Sequence, residues 1–112
     1  MPATAIDEPL VRRIDIAVDH PAFAGHFPGQ PVLPGVALVA EVLEAARAEP
    51  ALAARMGATP QLDIVKFLAP VRPGARLVVG FRITARGFEF AVEDGGHVAA
   101  TGRVSDPSGA RS

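Results

Sequence analysis

The chain has 112 residues, 49% of them hydrophobic, with 11 basic and 12 acidic side chains, three histidines and no cysteine. That length holds one domain with a modest core, and the lack of cysteine excludes a disulfide framework, a thiolate nucleophile and thiolate metal ligands together. A net charge of −1 supplies no overall field for nucleic acid, and no apolar run is long enough to span a bilayer. Residues Met1 to Glu8 carry acids and no basic segment before an apolar stretch, so no secretory leader is expected and the cytoplasm is the default location.

Val11 to Val18 alternates Val11, Ile14, Ile16 and Val18 with charged neighbours, the pattern of a half-buried strand. The run from His20 to Val36 then places His26 and Phe27 among prolines and glycines that fix the backbone, and leads straight into a helix. Histidine exchanges a proton near neutral pH, and a helix start presents unpaired N–H groups, so a base is set beside an oxyanion site.

Pro34 stands where the first residue of a helix would, and Val36 to Ala48 contains neither proline nor glycine. Val36, Val39, Leu43 and Ala46 recur at helical spacing as the expected core stripe, which turns Glu41 and Glu44 to another face. Ala51 to Met56 extends or repeats the helix before Gly57 and Thr59-Pro60 break it. Strands are predicted at Gln61 to Leu68, Arg76 to Thr84, Phe88 to Val92 and His97 to Val104, separated by turns that include Asp94-Gly95-Gly96. The polar tail from Ser105 to Ser112 is expected to fray.

The order strand, loop, helix and four-strand meander predicts a single α+β domain over residues 1–112, its core spanning about 11–104. It is an antiparallel sheet of about five strands with one helix on one face. One helix cannot cover both faces, and the sheet has open edges, so a homodimer is expected. Between Lys66 and Arg86 the chain carries Lys66, Arg72, Arg76, Arg82 and Arg86 and no acid, which reads as solvated strand faces or as a strip for an acidic protein partner. His20 and His97 are expected at the surface or at strand ends, and three scattered histidines do not make a metal site. The six phenylalanines read as core, and the glycines do not form a phosphate cradle.

The segment Gly25-His26-Phe27-Pro28-Gly29, continuing through Pro31-Val32 and Pro34-Gly35-Val36 into the helix, resembles the active-site signature of hot-dog-fold β-hydroxyacyl-acyl-carrier-protein dehydratases. Phe67-Leu68-Ala69-Pro70-Val71-Arg72-Pro73-Gly74 is similar to the family's Phe-x-x-Pro-Val-x-Pro-Gly strand and turn. The compact size, with Gln30 and Leu33, looks most like the short dehydratase-like proteins of aryl-polyene-type lipid pathways.

The resemblance implies a cofactor-free, metal-free lyase that takes water from a (3R)-hydroxyacyl thioester of acyl carrier protein or coenzyme A in fatty-acid or polyene-type lipid biosynthesis. It implies His26 as the base, its second ring nitrogen held by the Val32 carbonyl, and the Gly35 amide as the oxyanion donor. Phe27, Leu33 and Pro34 would line the mouth of an acyl slot, and Lys66, Arg72 and Arg76 would receive the carrier.

The chain departs from the family where a helix acid protonates the departing hydroxyl, because that position falls on Ala40. Glu44 lies one turn on, about 40° from the direction of Ala40, and Glu41 about 100° round. Three readings stay open: a dehydratase with a relocated acid; a non-catalytic acyl-carrier-binding subunit, alone or completing a heterodimer with an acid-bearing paralogue; and a thioesterase of the same fold.

Overall fold

In the computed structural model the described residues are 10–23, 29 and 31–107. Strand β1 is Leu10–Asp15, followed by a single 3-10 turn at Pro21–Phe23, helix α1 at Gly35–Arg47 and a short α2 at Pro50–Ala53. Four strands complete the chain: β2 at Gln61–Phe67, β3 at Arg76–Ile83, β4 at Gly87–Asp94 and β5 at His97–Ser105. All pairings are antiparallel and the sheet order is β1-β3-β4-β5-β2. The expected meander therefore holds only for β3, β4 and β5. Strand β2 pairs with β5 at the far edge, and β1 takes the place beside β3, with Leu10 opposite Phe81 and Asp15 opposite Arg76.

The inward faces of the strands alternate as half-buried β-structure requires: Leu77, Val79 and Phe81 on β3, then Phe88, Phe90 and Val92 on β4, are buried in one cluster with Ile14, Ile16 and Val104. Phe81 and Phe88 meet edge to face, with centroids 5.5 Å apart. From the helix side, Leu38, Val42 and Ala46 complete the core. This corrects the expected stripe. Val36 is 80% exposed, and Val39 and Leu43 are only half-buried, so the helix has two apolar faces and the sheet covers just one.

Three backbone ties draw the helix start and the end of β2 together. Leu33 N–H donates to the Val71 carbonyl at 2.7 Å. The Ala99 carbonyl accepts from Leu68 N–H at 2.8 Å and Ala69 N–H at 3.2 Å. A bulge in β5 makes that second tie available: the register with β4 shifts between Val92 and Glu93, and Ala99 and Ala100 both turn inward. At the other end of the sheet, Ile16 N–H donates to the Ala75 carbonyl and Gly74 N–H to the Ile16 carbonyl, both at 2.8 Å, the second from a glycine at φ +82°.

Pro34 is the residue before α1, not its first: at ψ 146° it is still extended, and its carbonyl accepts from Ala37 at 2.9 Å and Leu38 at 3.1 Å. Gly35 opens the helix. Two other glycines make contrasting tests of packing. A Cβ on Gly87 would strike the Val104 carbonyl oxygen, whereas one on Gly80, in the middle of β3, would meet nothing within 4 Å. Gly87→Ala is expected to lower stability by about 2 kcal/mol, and Gly80→Ala to raise it by about 0.5 kcal/mol, both read from urea unfolding midpoints.

Candidate functional site

The ties from Leu33 to Val71 and from Leu68 and Ala69 to Ala99 hold two chain segments side by side, and between them runs a groove of about 480 Å³. Val32 to Gly35 and Leu38 form one wall, and Phe67 to Val71 the other. Leu33 is buried and lies in the floor of this groove rather than at its mouth. Gly35, as the first helical residue, has an N–H with no carbonyl one turn back to receive it, and among the described residues nothing else accepts from it. An amide of this kind, carrying the positive end of the α1 dipole, suits an oxygen on which negative charge develops.

Glycine at position 35 leaves room for a neighbouring ring. A Cβ there would lie 2.7 Å from Cζ of Phe67, so the ring tip is seated on the Gly35 α-carbon. Phe67 is nonetheless 54% exposed, which corrects its expected place in the core. Phe81, Phe88 and Phe90 are buried as expected.

His26 and Phe27 lie outside the described residues, as does Gln30. The same loop supplies a contact that sequence spacing missed. His20 Nε2 donates to Glu41 Oε2 at 2.9 Å, while Ala22 N–H donates to His20 Nδ1 at 3.0 Å. A nitrogen that accepts from an amide carries no proton, so the imidazole holds its proton on Nε2 and presents it to the carboxylate. His20 is thus a half-buried link between the loop and α1, not the isolated surface histidine expected; the two residues are 21 apart in sequence, which no local pattern reveals. His97 is exposed at the start of β5, as expected.

Ala40 and Glu44 are both exposed, on the side of α1 that the sheet leaves uncovered. The Glu44 side chain has no ion pair or hydrogen bond among the described residues, while Glu41 is held by His20.

The expected basic strip separates in three dimensions. Lys66 lies opposite Thr101 on edge strand β2 and Arg76 opposite Asp15 at the far end of β3, about 20 Å apart across the sheet; Arg72 is exposed in the intervening loop. Strand pairing instead collects Arg82 and Arg103 around Glu89, at 2.8 Å and 3.8 Å. The hydrogen bond from Arg82 holds the Glu89 carboxyl below its ordinary range, and the same bond raises the Arg82 guanidinium. A hollow of about 500 Å³ adjoins these residues on the outer sheet face. It contains no free helical amide, which leaves the groove at Gly35 as the candidate site.

The His20 link has a measurable consequence. In a double-mutant cycle with His20→Ala and Glu41→Ala, urea unfolding is expected to show a coupling of about 1 kcal/mol, reduced from that of a fully buried charged hydrogen bond by partial exposure; strictly additive losses would show that the contact is energetically idle.

Comparison with known proteins places the chain in one family. The model of the ApeI-like family, described as ApeI dehydratase, matches residues 4–103. The 3-hydroxyacyl-[acyl-carrier-protein] dehydratase FabZ of Streptococcus equi subsp. zooepidemicus is 33% identical over 112 aligned residues, covering 90% of this chain and 79% of its own length. The chain spans only about half the length of other curated relatives it matches, 57% of FabZ from Syntrophobacter fumaroxidans and 49% of that from Anaeromyxobacter sp. strain K. Among solved structures, a chain of the dehydratase heterocomplex ApeI:P from Xenorhabdus doucetiae superposes with a TM-score of 0.69 at 24% identity, covering 88% of this chain and 87% of its own. A protein from Erwinia carotovora subsp. atroseptica gives 0.71 at 26% identity, covering 87% of this chain and 81% of its own.

Proposed function

We propose that this chain, which belongs to the ApeI-like dehydratase family and has the hot-dog fold, removes water from (3R)-hydroxyacyl thioesters to leave 2-enoyl thioesters. The observation that carries this reading is the apolar groove running past the unpaired Gly35 amide. An acyl chain fits the groove walls, and a thioester oxygen accepting from Gly35 is held where enolate charge appears; such a donor is worth about 3 kcal/mol of barrier.

In this mechanism His26 takes the proton from C2, the role that the resemblance implies for it. The electron pair moves into the thioester, supported by Gly35 N–H. As it returns, the C2–C3 double bond forms, the C3–O bond breaks, and hydroxide leaves with a proton from an acid. Of the two helix glutamates, Glu44 suits that role better, being unpaired, exposed and close in direction to Ala40. Glu41 is already bonded to His20.

The substrate thioester is carried by an acyl carrier protein or coenzyme A, an acidic carrier being met by Lys66, Arg72 and Arg76 as separate contacts rather than one strip. A homodimer covers the rest: β2 is an open edge on which Leu62, Ile64 and Phe67 are exposed, and α1 offers Val36 on its uncovered face.

A second reading is favoured by Ala40. In it, this chain binds the acyl carrier and forms a heterodimer whose other subunit supplies the acid, as the family position for that group holds an alanine here.

Hydration of crotonyl-coenzyme A by the purified protein separates the two. His26→Ala is expected to remove about a hundredfold or more of the rate, with a nearly unchanged melting temperature. Glu44→Gln should cost about tenfold or more. If wild-type protein is inactive, or if neither Glu44→Gln nor Glu41→Gln lowers turnover while Ala40→Glu raises it, the site is complete but for its acid and the heterodimer reading takes over. A His26→Ala variant as active as wild type would overturn the mechanism.

A further inference from the structure

We infer that Phe67 is a specificity-determining residue, whose ring admits acyl thioesters unbranched at the carbon next to the carbonyl and rejects those with a methyl group there. The inference rests on the thioester reading of the groove and adds to it which acyl groups that groove accepts.

Gly35 has no positive φ, so its backbone conformation does not call for glycine. What calls for it is the ring: Cζ of Phe67 lies 2.7 Å, and Cε1 and Cε2 each 3.0 Å, from where a Cβ would be. The close approach is held from both sides. Phe67 is paired with Ala100 in the β2–β5 ladder, and the next two residues are tied to the Ala99 carbonyl, so the base of the ring cannot retreat. On the opposite wall, the Leu33 to Val71 bond fixes the approach to α1.

Phe67 also lines the groove together with Gly35. A carbonyl oxygen bonded to Gly35 N–H brings the first acyl carbon within about 5 Å of that nitrogen. The ring tip lies within about the same reach of that nitrogen, since a Cβ on Gly35 would be 2.7 Å from Cζ of Phe67. Two hydrogens on that carbon pass a phenyl edge at van der Waals distance, whereas a methyl group must displace it. Since the ring is seated against backbone, displacement costs packing on the Gly35 side, and the discrimination of one methyl group by an apolar wall is about tenfold or more.

The test compares two carbonyl-bearing thioethers that cannot hydrolyse, S-(2-oxopentyl)-coenzyme A and its branched counterpart S-(3-methyl-2-oxopentyl)-coenzyme A, by calorimetry, alongside hydration of crotonyl- and 2-methylcrotonyl-coenzyme A. Wild-type protein is expected to prefer the straight chain about tenfold or more in both assays. Phe67→Ala should bring the ratio to about twofold, and Phe67→Leu, which keeps an apolar side chain on the edge strand, should fall between. Gly35→Ala is expected to weaken binding of the straight ligand, with the Gly35→Ala/Phe67→Ala pair recovering most of it, a rescue that simple loss of stability would not produce. Equal wild-type affinities, or an unchanged ratio in Phe67→Ala and Phe67→Leu, would overturn the inference. Discriminating binding without turnover would leave it standing and count against the dehydration reading. Binding of neither ligand would overturn both.

Discussion

The hydrogen bond from Leu33 N–H to the Val71 carbonyl governs how the rest of the molecule is used. It joins the approach to α1 to the chain that follows β2, segments that the sheet order would otherwise keep apart. Strand β2 reaches that place only by crossing to the far side of β5, and the bulge at Ala99 then offers a carbonyl that two successive amides of the β2 exit can share. The groove is the gap these ties leave. Its walls are therefore set by backbone, and side chains such as Phe67 tune a width they did not create.

Most of the fold was legible in the residue pattern. Strands such as Arg76–Ile83 and Gly87–Asp94 alternate along their length, and the turn residues between them have the glycines that tight reversal needs, Gly95 at φ +62° and Gly96 at +90° among them. Strand order was not legible. Nothing local distinguishes a strand that pairs with its successor from one that passes beyond two others, because the choice is made by which open edge remains once β3, β4 and β5 have formed their hairpins. The helix stripe misled for a related reason. Val36 and Val39 are as apolar as Leu38 and Val42, and spacing alone cannot say which apolar residues of the helix the sheet covers.

The candidate site was legible in part. The Pro34-Gly35 pair marked the helix start to within a residue, and any helix start leaves amides without intrahelical partners. The link between His20 and Glu41 was out of reach, because it depends on the path of a loop and on the phase of α1 together. So was the contact of Phe67 on Gly35, since the two residues are far apart in sequence and no local pattern relates them.

Positions 35 and 40 show two different kinds of constraint on one helix. At Gly35 a Cβ would meet the tip of the Phe67 ring, so any side chain there must displace that ring. Ala40 is exposed, and alanine and glutamate differ by only about 0.3 kcal/mol or less in helix propensity at such a place. Folding is indifferent to which of them stands there. In the proposed dehydration, the proton for the leaving hydroxyl therefore comes from elsewhere on this surface or from another chain. The uncovered face of α1, which carries Ala40, Val36 and Glu44 together, is where either source must approach.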